Sequence, residues 1–231
     1  MSEMIAIVGE SGSGKTTSIR NLDPAETFII STTGKRPGIP GALKKYPNFS
    51  VVDGKAVGNF YVTSDVDKIE KMLKIIDIKM PEVKVIILDD MQYIMGFESM
   101  ERAKETGYTK FTEMAQHVYK VLKSAMNMRD DLSFVVCTHS ENTGDHLNPF
   151  YKIKTLGKML DSVITLEGLF TYVFFTTVQR DEENKTSYKF ITNSEGSCTA
   201  KSPMGLFEDL YIDNDLKLVV SRIKEYNEGN I

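Results

Sequence analysis

The sequence is poor in the features that mark several large classes of protein. Its 231 residues include two cysteines, Cys137 and Cys198, which cannot form a disulfide framework, so we expect two reduced thiols. No apolar run approaches the ~20 residues that a membrane helix requires. Acidic Glu3 precedes the short apolar run at residues 4–8, where a secretory signal would carry basic residues. These absences exclude a disulfide scaffold and predict a cytoplasmic protein with no membrane partner.

The chain also lacks an excess of positive charge. Lysine and arginine total 28 against 32 aspartates and glutamates, which gives a net charge of -4. A domain that binds nucleic acid over its whole surface is usually strongly basic, so the composition argues against that class but leaves room for a local basic groove. The 41% hydrophobic and 26% charged content is that of a globular protein and excludes a disordered or collagen-like chain.

Short apolar runs alternate with helical patterns along most of the chain, which is typical of a parallel sheet with crossover helices. We predict strands at 4–8, 27–31, 57–63, 83–88 and 132–138, helices at 14–22, 64–80, 111–126, 156–169 and 214–226, and a hairpin formed by 172–179 and 187–192. Ser64 is the predicted cap of the second helix, and residues 32–46 are predicted as loop. The length favours a single domain over 1–231, with an α/β fold that ends in an antiparallel hairpin and a helix.

Residues 9–16 read GESGSGKT and match the P-loop pattern at every defined position. An apolar strand precedes them and a helical pattern follows, as the motif requires. Glycines allow the backbone to turn its N–H groups toward a phosphate, the lysine neutralises the β- and γ-phosphates, and the threonine hydroxyl binds Mg²⁺. The motif predicts ATP and Mg²⁺ as cofactors, bound by Gly9, Ser11, Gly12, Ser13, Gly14, Lys15, Thr16 and Thr17.

Two further strands end in polar residues that suit this chemistry. Residues 85–90 (VIILDD) end in Asp89, which we predict to bind Mg²⁺ with Thr16, and in Asp90, which either polarises the attacking water, holds a neighbouring side chain or caps the next turn. Residues 134–139 (FVVCTH) end in Thr138 and His139, which either sense the γ-phosphate or form a solvated strand end. No Cys/His cluster accompanies His139, so a zinc site is not expected.

The order of these motifs resembles the RecA-like ATPase core, and more narrowly the phage-encoded AAA-type ATPases related to the Sak4 group of single-strand annealing proteins. The resemblance rests on residues 9–17, 86–93, 107–111, 155–161 and 201–203. It implies a RecA-like P-loop NTPase core and an ATP- and Mg²⁺-dependent ATPase of phage recombination or replication, located in the host cytoplasm. Such a protein would bind single-stranded DNA and anneal or pair strands as a ring or filament of copies, with a phage or host single-strand binding protein as a further partner.

The resemblance also implies DNA-binding loops at 94–110 and 140–158. The second loop carries Tyr151, Lys152, Lys154 and Lys158, whose alternation of basic with aromatic or apolar residues suits single-stranded DNA. A solvated loop is the competing interpretation.

ATPases of this kind also use a cation from a neighbouring subunit, which accelerates phosphoryl transfer by about 10³–10⁵. Lys201 is the candidate for this role and Arg180 the second choice, against the simpler interpretation of both as surface charges.

One position departs from the RecA-like pattern. The strand after the P-loop helix usually ends in a catalytic glutamate, whereas residues 28–35 (FIISTTGK) contain no acid. Either the water-activating role moves to Asp90, or it is weak and ATP hydrolysis is slow. Lys35 and Arg36, which follow, either contact phosphate or DNA or belong to a solvated loop.

Two other functions remain open at this point. A nucleoside or nucleotide kinase shares the P-loop, but no arginine-rich lid is evident. A P-loop ATPase that acts on a protein partner without DNA is the other alternative.

Overall fold

The computed structural model describes residues 1–155 and 164–231. In chain order its strands and helices are β1 (Glu3–Val8), the 3-10 helix η1 (Thr16–Asn21), β2 (Thr27–Ser31), α1 (Ala42–Lys45), β3 (Ser50–Val52), β4 (Lys55–Val57), β5 (Phe60–Val62), α2 (Val66–Lys79), β6 (Val85–Asp89), α3 (Gln92–Glu101), α4 (Thr109–Met126), β7 (Ser133–Thr138), β8 (Ser140–Asn142), β9 (Tyr151–Ile153), the 3-10 helix η2 (Leu166–Leu169), β10 (Tyr172–Arg180), β11 (Thr186–Ile191), β12 (Tyr211–Asp213) and α5 (Leu216–Asn227).

Eight of these strands form one sheet in the order β12-β11-β10-β1-β7-β6-β2-β5. Every pairing from β10 to β5 is parallel, and β11 and β12 extend one edge by antiparallel pairing. The predicted α/β fold, a mainly parallel sheet with flanking helices and a C-terminal antiparallel hairpin and helix, is confirmed. The placement of the whole chain in one domain stays a prediction.

The sheet is covered on both faces, which explains the continuous apolar runs of its strands. In β1, Met4, Ala6 and Val8 face the core that α2 and α4 complete, whereas Ile5 and Ile7 face the core that α5 completes. Successive side chains of a strand point to opposite faces, so each β1 residue from Met4 to Val8 is buried against one layer or the other. No helix in the described part of the chain is both long and apolar enough to cross a bilayer.

The strand order brings the predicted chemistry together. β7 lies between β1 and β6, so the P-loop that follows β1, the aspartates that end β6 and His139 after β7 all emerge at the carboxyl edge of neighbouring parallel strands. Ligands of open α/β sheets bind beyond this edge.

Both predicted DNA-binding loops contain secondary structure. The first part of the 94–110 segment is helical, since α3 extends to Glu101. Ile94 and Met95 stabilise this helix because their side chains are buried against the core. The 140–158 segment contains β8 and β9, which pair as a two-stranded hairpin. The prediction of plain loops was therefore wrong for both segments as far as they are described.

Three helix predictions also change in detail. The cap of α2 is Asp65, whose side chain accepts the Lys68 N–H at 3.1 Å, rather than Ser64. The helix after the P-loop is the short 3-10 helix η1. Within the predicted helix 156–169, residues 156–163 lie outside the described residues, and Leu166–Leu169 forms a single 3-10 turn.

Candidate functional site

Neighbouring strands hold the P-loop from both sides. The Gly9 N–H donates to the Thr138 carbonyl of β7 at 3.2 Å, and the hydroxyls of Ser13 and Thr176, the latter on β10, lie 2.5 Å apart. A Cβ on Gly9 would lie 1.8 Å from Thr176 Oγ1, so only glycine fits there. Gly12 and Gly14 have φ of 80° and 97°, and these left-handed conformations let the chain turn tightly enough to form an anion-binding nest.

Lys15 is buried inside this loop. Its ammonium group donates to the Gly9 carbonyl at 2.9 Å and to the Glu10 carbonyl at 2.8 Å. Burial lowers the pKa of Lys15, and the nearby carboxylates of Asp90 and Asp89 partly oppose that shift. The lysine is thus held at the loop, ready to exchange carbonyl partners for phosphate oxygens.

Thr16 and Asp89 form the predicted magnesium pair. The Thr16 hydroxyl donates to Asp89 Oδ1 at 3.0 Å. Burial raises the pKa of Asp89 to about 6, and the charge of Asp90 adds to that shift. A hydroxyl and a carboxylate are oxygen ligands of the kind that Mg²⁺ prefers, and Mg²⁺ commonly binds one or two protein carboxylates together with phosphates and waters. The residues present therefore fit this ion.

Asp90 is positioned by two strands. Its Oδ2 lies 2.7 Å from His139 Nε2. Thr32, the residue directly after β2, accepts the Asp90 N–H at 3.1 Å and donates to the Asp90 carbonyl at 2.8 Å. Burial raises the pKa of Asp90 to about 6. Burial, with the charges of Lys15 and Lys154, lowers the pKa of His139. At neutral pH we therefore assign a neutral imidazole that donates a hydrogen bond to an ionised carboxylate, rather than an ion pair.

These groups line one cavity of about 330 Å³. It is bounded by Ser11, Gly12, Gly14, Lys15, Thr16, Thr17, Thr33, Lys35, Arg36, Gly38, Asp89, Asp90, Tyr93, His139 and Tyr188. Most of the predicted nucleotide and metal residues are thus brought together. Gly9 and Ser13 instead support the loop, and Thr138 lies fully buried in β7 with its carbonyl on Gly9.

Sequence reasoning missed two aromatic residues of this cavity, Tyr93 and Tyr188. Tyr188 lies on β11, in a hairpin whose sequence carries no phosphate-binding pattern, so no signal marked it. Tyr93 follows the acidic strand and packs edge-on against the ring of His139, with centroids 6.3 Å apart. Lys35 and Arg36 also reach the cavity, which favours the phosphate alternative over the solvated loop for Lys35. Arg36 is held by the Tyr46 carbonyl and by Asn48.

Three of the four predicted DNA-binding residues, Tyr151, Lys152 and Lys154, lie on the β8–β9 hairpin and its continuation. Tyr151 is half-buried and packs against the core. Lys152 forms an ion pair with Glu141 at 3.5 Å. The Lys154 N–H donates to the His139 carbonyl at 2.8 Å, and this bond holds the end of the hairpin next to His139. Lys158 lies outside the described residues.

The two candidates for action in a neighbouring subunit lie outside the cavity of their own chain. Lys201 pairs with Val173 of β10 through two backbone hydrogen bonds of 2.9 Å, as an isolated antiparallel bridge. Arg180 ends β10 and is exposed. A role in another subunit stays a prediction for both.

No protein-family model and no curated protein matches the sequence. Among solved structures, the chain is similar to the genome packaging NTPase B204 from Sulfolobus turreted icosahedral virus 2, solved in complex with ATP-gammaS. The two share 14% sequence identity with a TM-score of 0.39, and the match covers 79% of this chain and 78% of that one.

Proposed function

We propose that this protein is a Mg²⁺-dependent nucleoside-triphosphatase that hydrolyses ATP. One observation carries the proposal: the P-loop lysine, a threonine–aspartate pair suited to Mg²⁺, and a carboxylate hydrogen-bonded to histidine line a single cavity at the carboxyl edge of a parallel sheet. This combination can bind a triphosphate, neutralise its charge and activate water.

Each side chain of the cavity has a role in hydrolysis that follows from its position. Lys15 leaves its carbonyl partners and neutralises the β- and γ-phosphates. Thr16 and Asp89 would hold Mg²⁺, which supplies further charge neutralisation of the phosphates. Asp90 is the only carboxylate besides Asp89 among the described residues that line the cavity, so it takes the water-activating role that the second strand leaves unfilled.

The proposed hydrolysis step uses an ionised Asp90 and a neutral His139 at neutral pH. Water oxygen attacks the γ-phosphorus, the bond from that phosphorus to the bridging oxygen breaks, and ADP leaves with the bridging electron pair. Asp90 accepts the proton of the attacking water, and the neutral His139 imidazole, by donating to Asp90 Oδ2, keeps the carboxylate oriented.

The first test is release of inorganic phosphate from ATP, with Mg²⁺ and with the metal chelated. We expect activity only with Mg²⁺, and its loss in Lys15→Ala. Lys123→Ala, an exposed lysine on α4, is the matched control and should be fully active. Phosphate release that survives Lys15→Ala would contradict the proposal.

The finer part of the proposal is that bound ATP orders an oligomer of this chain and its single-stranded-DNA loops, and that hydrolysis releases them. The oligomer would anneal or pair DNA strands in phage recombination or replication. Support comes from the RecA-like resemblance and from the β8–β9 hairpin, whose continuation is hydrogen-bonded to the carbonyl of His139, a residue of the cavity wall. The pairing of Lys152 with Glu141 counts against it, because that lysine is already partly neutralised.

ATPase rates with and without single-stranded DNA, combined with size measurements in ATP, separate the remaining functions. Stimulation by DNA together with ATP-dependent assembly supports the finer proposal. A rate that DNA leaves unchanged favours an ATPase with a protein partner, and phosphate transfer from ATP to a nucleoside monophosphate favours a kinase.

A further inference from the structure

Three cationic residues in the described part of the chain line the cavity, and they differ in what holds them. Lys15 donates to two carbonyls of the P-loop. Arg36 donates to the Tyr46 carbonyl and lies 4.0 Å from the centroid of the Phe60 ring. The ammonium group of Lys35 forms no hydrogen bond or ion pair with any residue that the structure describes, and Lys35 is exposed. One positive charge of the cavity wall is therefore available to a ligand.

The loop that carries Lys35 is fixed beside the two aspartates. The Thr32 N–H donates to the Asp89 carbonyl at 2.7 Å, and the Thr32 hydroxyl bonds both backbone groups of Asp90. The Ser31 hydroxyl donates to the Lys35 carbonyl at 3.2 Å, which holds the loop close to the end of β2. Because β2 pairs with β6, Lys35 lines the cavity from the side on which the aspartates lie.

The charge of Lys35 acts on both aspartates. Burial raises the pKa of Asp89 and of Asp90, and the positive charge of Lys35 opposes part of each shift. A cation that influences both carboxylates lies at the end of the cavity where Mg²⁺ and the attacking water would be held. In the proposed reaction this end holds the γ-phosphate, because the water that Asp90 activates attacks the γ-phosphorus.

We propose that Lys35 contacts the γ-phosphate of the ATP bound in its own subunit and stabilises the transition state of hydrolysis. This inference rests on the proposed function. The ammonium group donates a hydrogen bond to a γ-phosphate oxygen, offsets the repulsion between that phosphate and Asp90, and neither gains nor loses a proton. The chain then supplies from its own cavity the charge for which Lys201 and Arg180 are the predicted donors in a neighbouring subunit.

Single-turnover phosphate release from Mg²⁺–ATP tests the catalytic contact. Lys35→Met keeps the aliphatic part of the side chain and removes its charge, so the rate constant should fall about a hundredfold. Lys44→Met is the matched control, since Lys44 is an exposed lysine of α1 outside the cavity, and this variant should be fully active. A rate constant in Lys35→Met equal to that of the wild type overturns the inference.

Calorimetry with the Mg²⁺ complexes of ADP and of a non-hydrolysable ATP analogue locates the contact on the nucleotide. ADP has no γ-phosphate, so Lys35→Met should weaken binding of the analogue several-fold and leave binding of ADP unchanged. Equal weakening of both nucleotides overturns a contact with the γ-phosphate.

Mixing two variants tests whether the contact lies within one subunit. Lys15→Ala keeps Lys35 but loses phosphate binding, whereas Lys35→Met keeps a complete P-loop. If Lys35 acted on a neighbour's phosphate, the mixture would regain activity, so we expect its activity to equal the sum of the two variants measured alone. Regained activity overturns the same-subunit contact.

The phosphate-release measurement also separates failure of this inference from failure of the proposed function. Wild-type protein that releases no phosphate from ATP overturns the proposed function. Wild-type activity that Lys35→Met retains in full overturns this inference alone.

Discussion

At the scale of single residues, the chemistry depends on two adjacent carboxylates with different partners. Asp89 accepts from the Thr16 hydroxyl, and Asp90 from His139. Burial raises the pKa of each to about 6, so both are mainly ionised at neutral pH although their charges repel. The nearby cation of Lys15 offsets part of this repulsion, and Mg²⁺ would offset more. The difference in partners divides the pair into a metal ligand and a base.

Asp90→Asn should separate catalysis from binding. The amide keeps an oxygen for His139 but cannot accept a proton, and general-base catalysis contributes about 10²–10⁴ in rate. We therefore expect kcat to fall at least about a hundredfold while the Kd for Mg²⁺–ATP stays within a few-fold. Single-turnover phosphate release and calorimetry check the two quantities. Full activity in this variant would remove Asp90 from the mechanism.

Asp89→Asn should make the nucleotide-free protein more stable at pH 7. A carboxylate whose folded pKa is raised binds more protons in the folded state than in the unfolded state, so its ionisation penalises folding above pH 6, and the penalty is relieved as pH falls through about 6 toward 4. The gain in Tm from the substitution should therefore be largest at pH 7 and shrink at pH 5. Asp131→Asn, at an exposed carboxylate whose pKa is lowered, should instead lower Tm slightly at pH 7.

At the scale of elements, β10 supports the P-loop even though it contributes little to the cavity wall. Its Thr176 hydroxyl bonds both Ser13 and the Val8 carbonyl and fills the space beside Gly9. The loop conformation is therefore set by side-chain contacts from the neighbouring strand as well as by its own glycines.

Gly9→Ala should disrupt this support. The added methyl would overlap Thr176 Oγ1 at 1.8 Å, so we expect a lower Tm and loss of nucleotide binding. Gly9→Ala combined with Thr176→Ala should recover part of both. Gly168→Ala is the control, since a Cβ there meets nothing within 4 Å in the described structure. Normal ATP binding by the Gly9→Ala variant alone would show that the P-loop can rearrange around the added methyl without losing its affinity for ATP.

The elements that the sequence predicts well are those with strong local signals. The buried strands follow from continuous apolar runs, and the P-loop from fixed spacing. α3 escapes prediction because Gly96 interrupts its pattern and its burial comes from packing of Ile94 and Met95. The approach of Tyr188 to Gly14 depends on strand pairing between β10 and β11, which no local pattern encodes.

At the scale of the whole molecule, nucleotide binding should be visible as a gain in stability. Binding to the folded state alone stabilises by about 2.7 kcal/mol at a hundredfold excess over Kd, which for a chain of this length corresponds to roughly 5–10 °C in Tm. We expect a shift of this size with Mg²⁺–ATP, a smaller one with ATP and chelator, and none in Lys15→Ala. An equal shift in Lys15→Ala would place binding away from the P-loop.

The net charge of -4 bears on the DNA part of the proposal, because an acidic molecule can bind a polyanion only through a local positive strip. On the β8–β9 hairpin such a strip is weakened where Glu141 neutralises Lys152, with the two side chains 31% and 28% exposed. Glu141→Gln removes that opposing charge and keeps the shape of the side chain. If the hairpin contacts DNA, the affinity for single-stranded DNA should rise several-fold at low salt, and the gain should diminish as salt increases.

Glu183→Gln provides the matched control for that measurement, since Glu183 pairs with Lys185 at the exposed tip of the β10–β11 hairpin. Filter binding in ATP at several salt concentrations compares the two variants. Equal gains in both would reflect the change in net charge alone. No gain in Glu141→Gln would contradict a DNA contact at this hairpin, because removing a carboxylate beside a bound polyanion relieves repulsion whatever else Lys152 contacts.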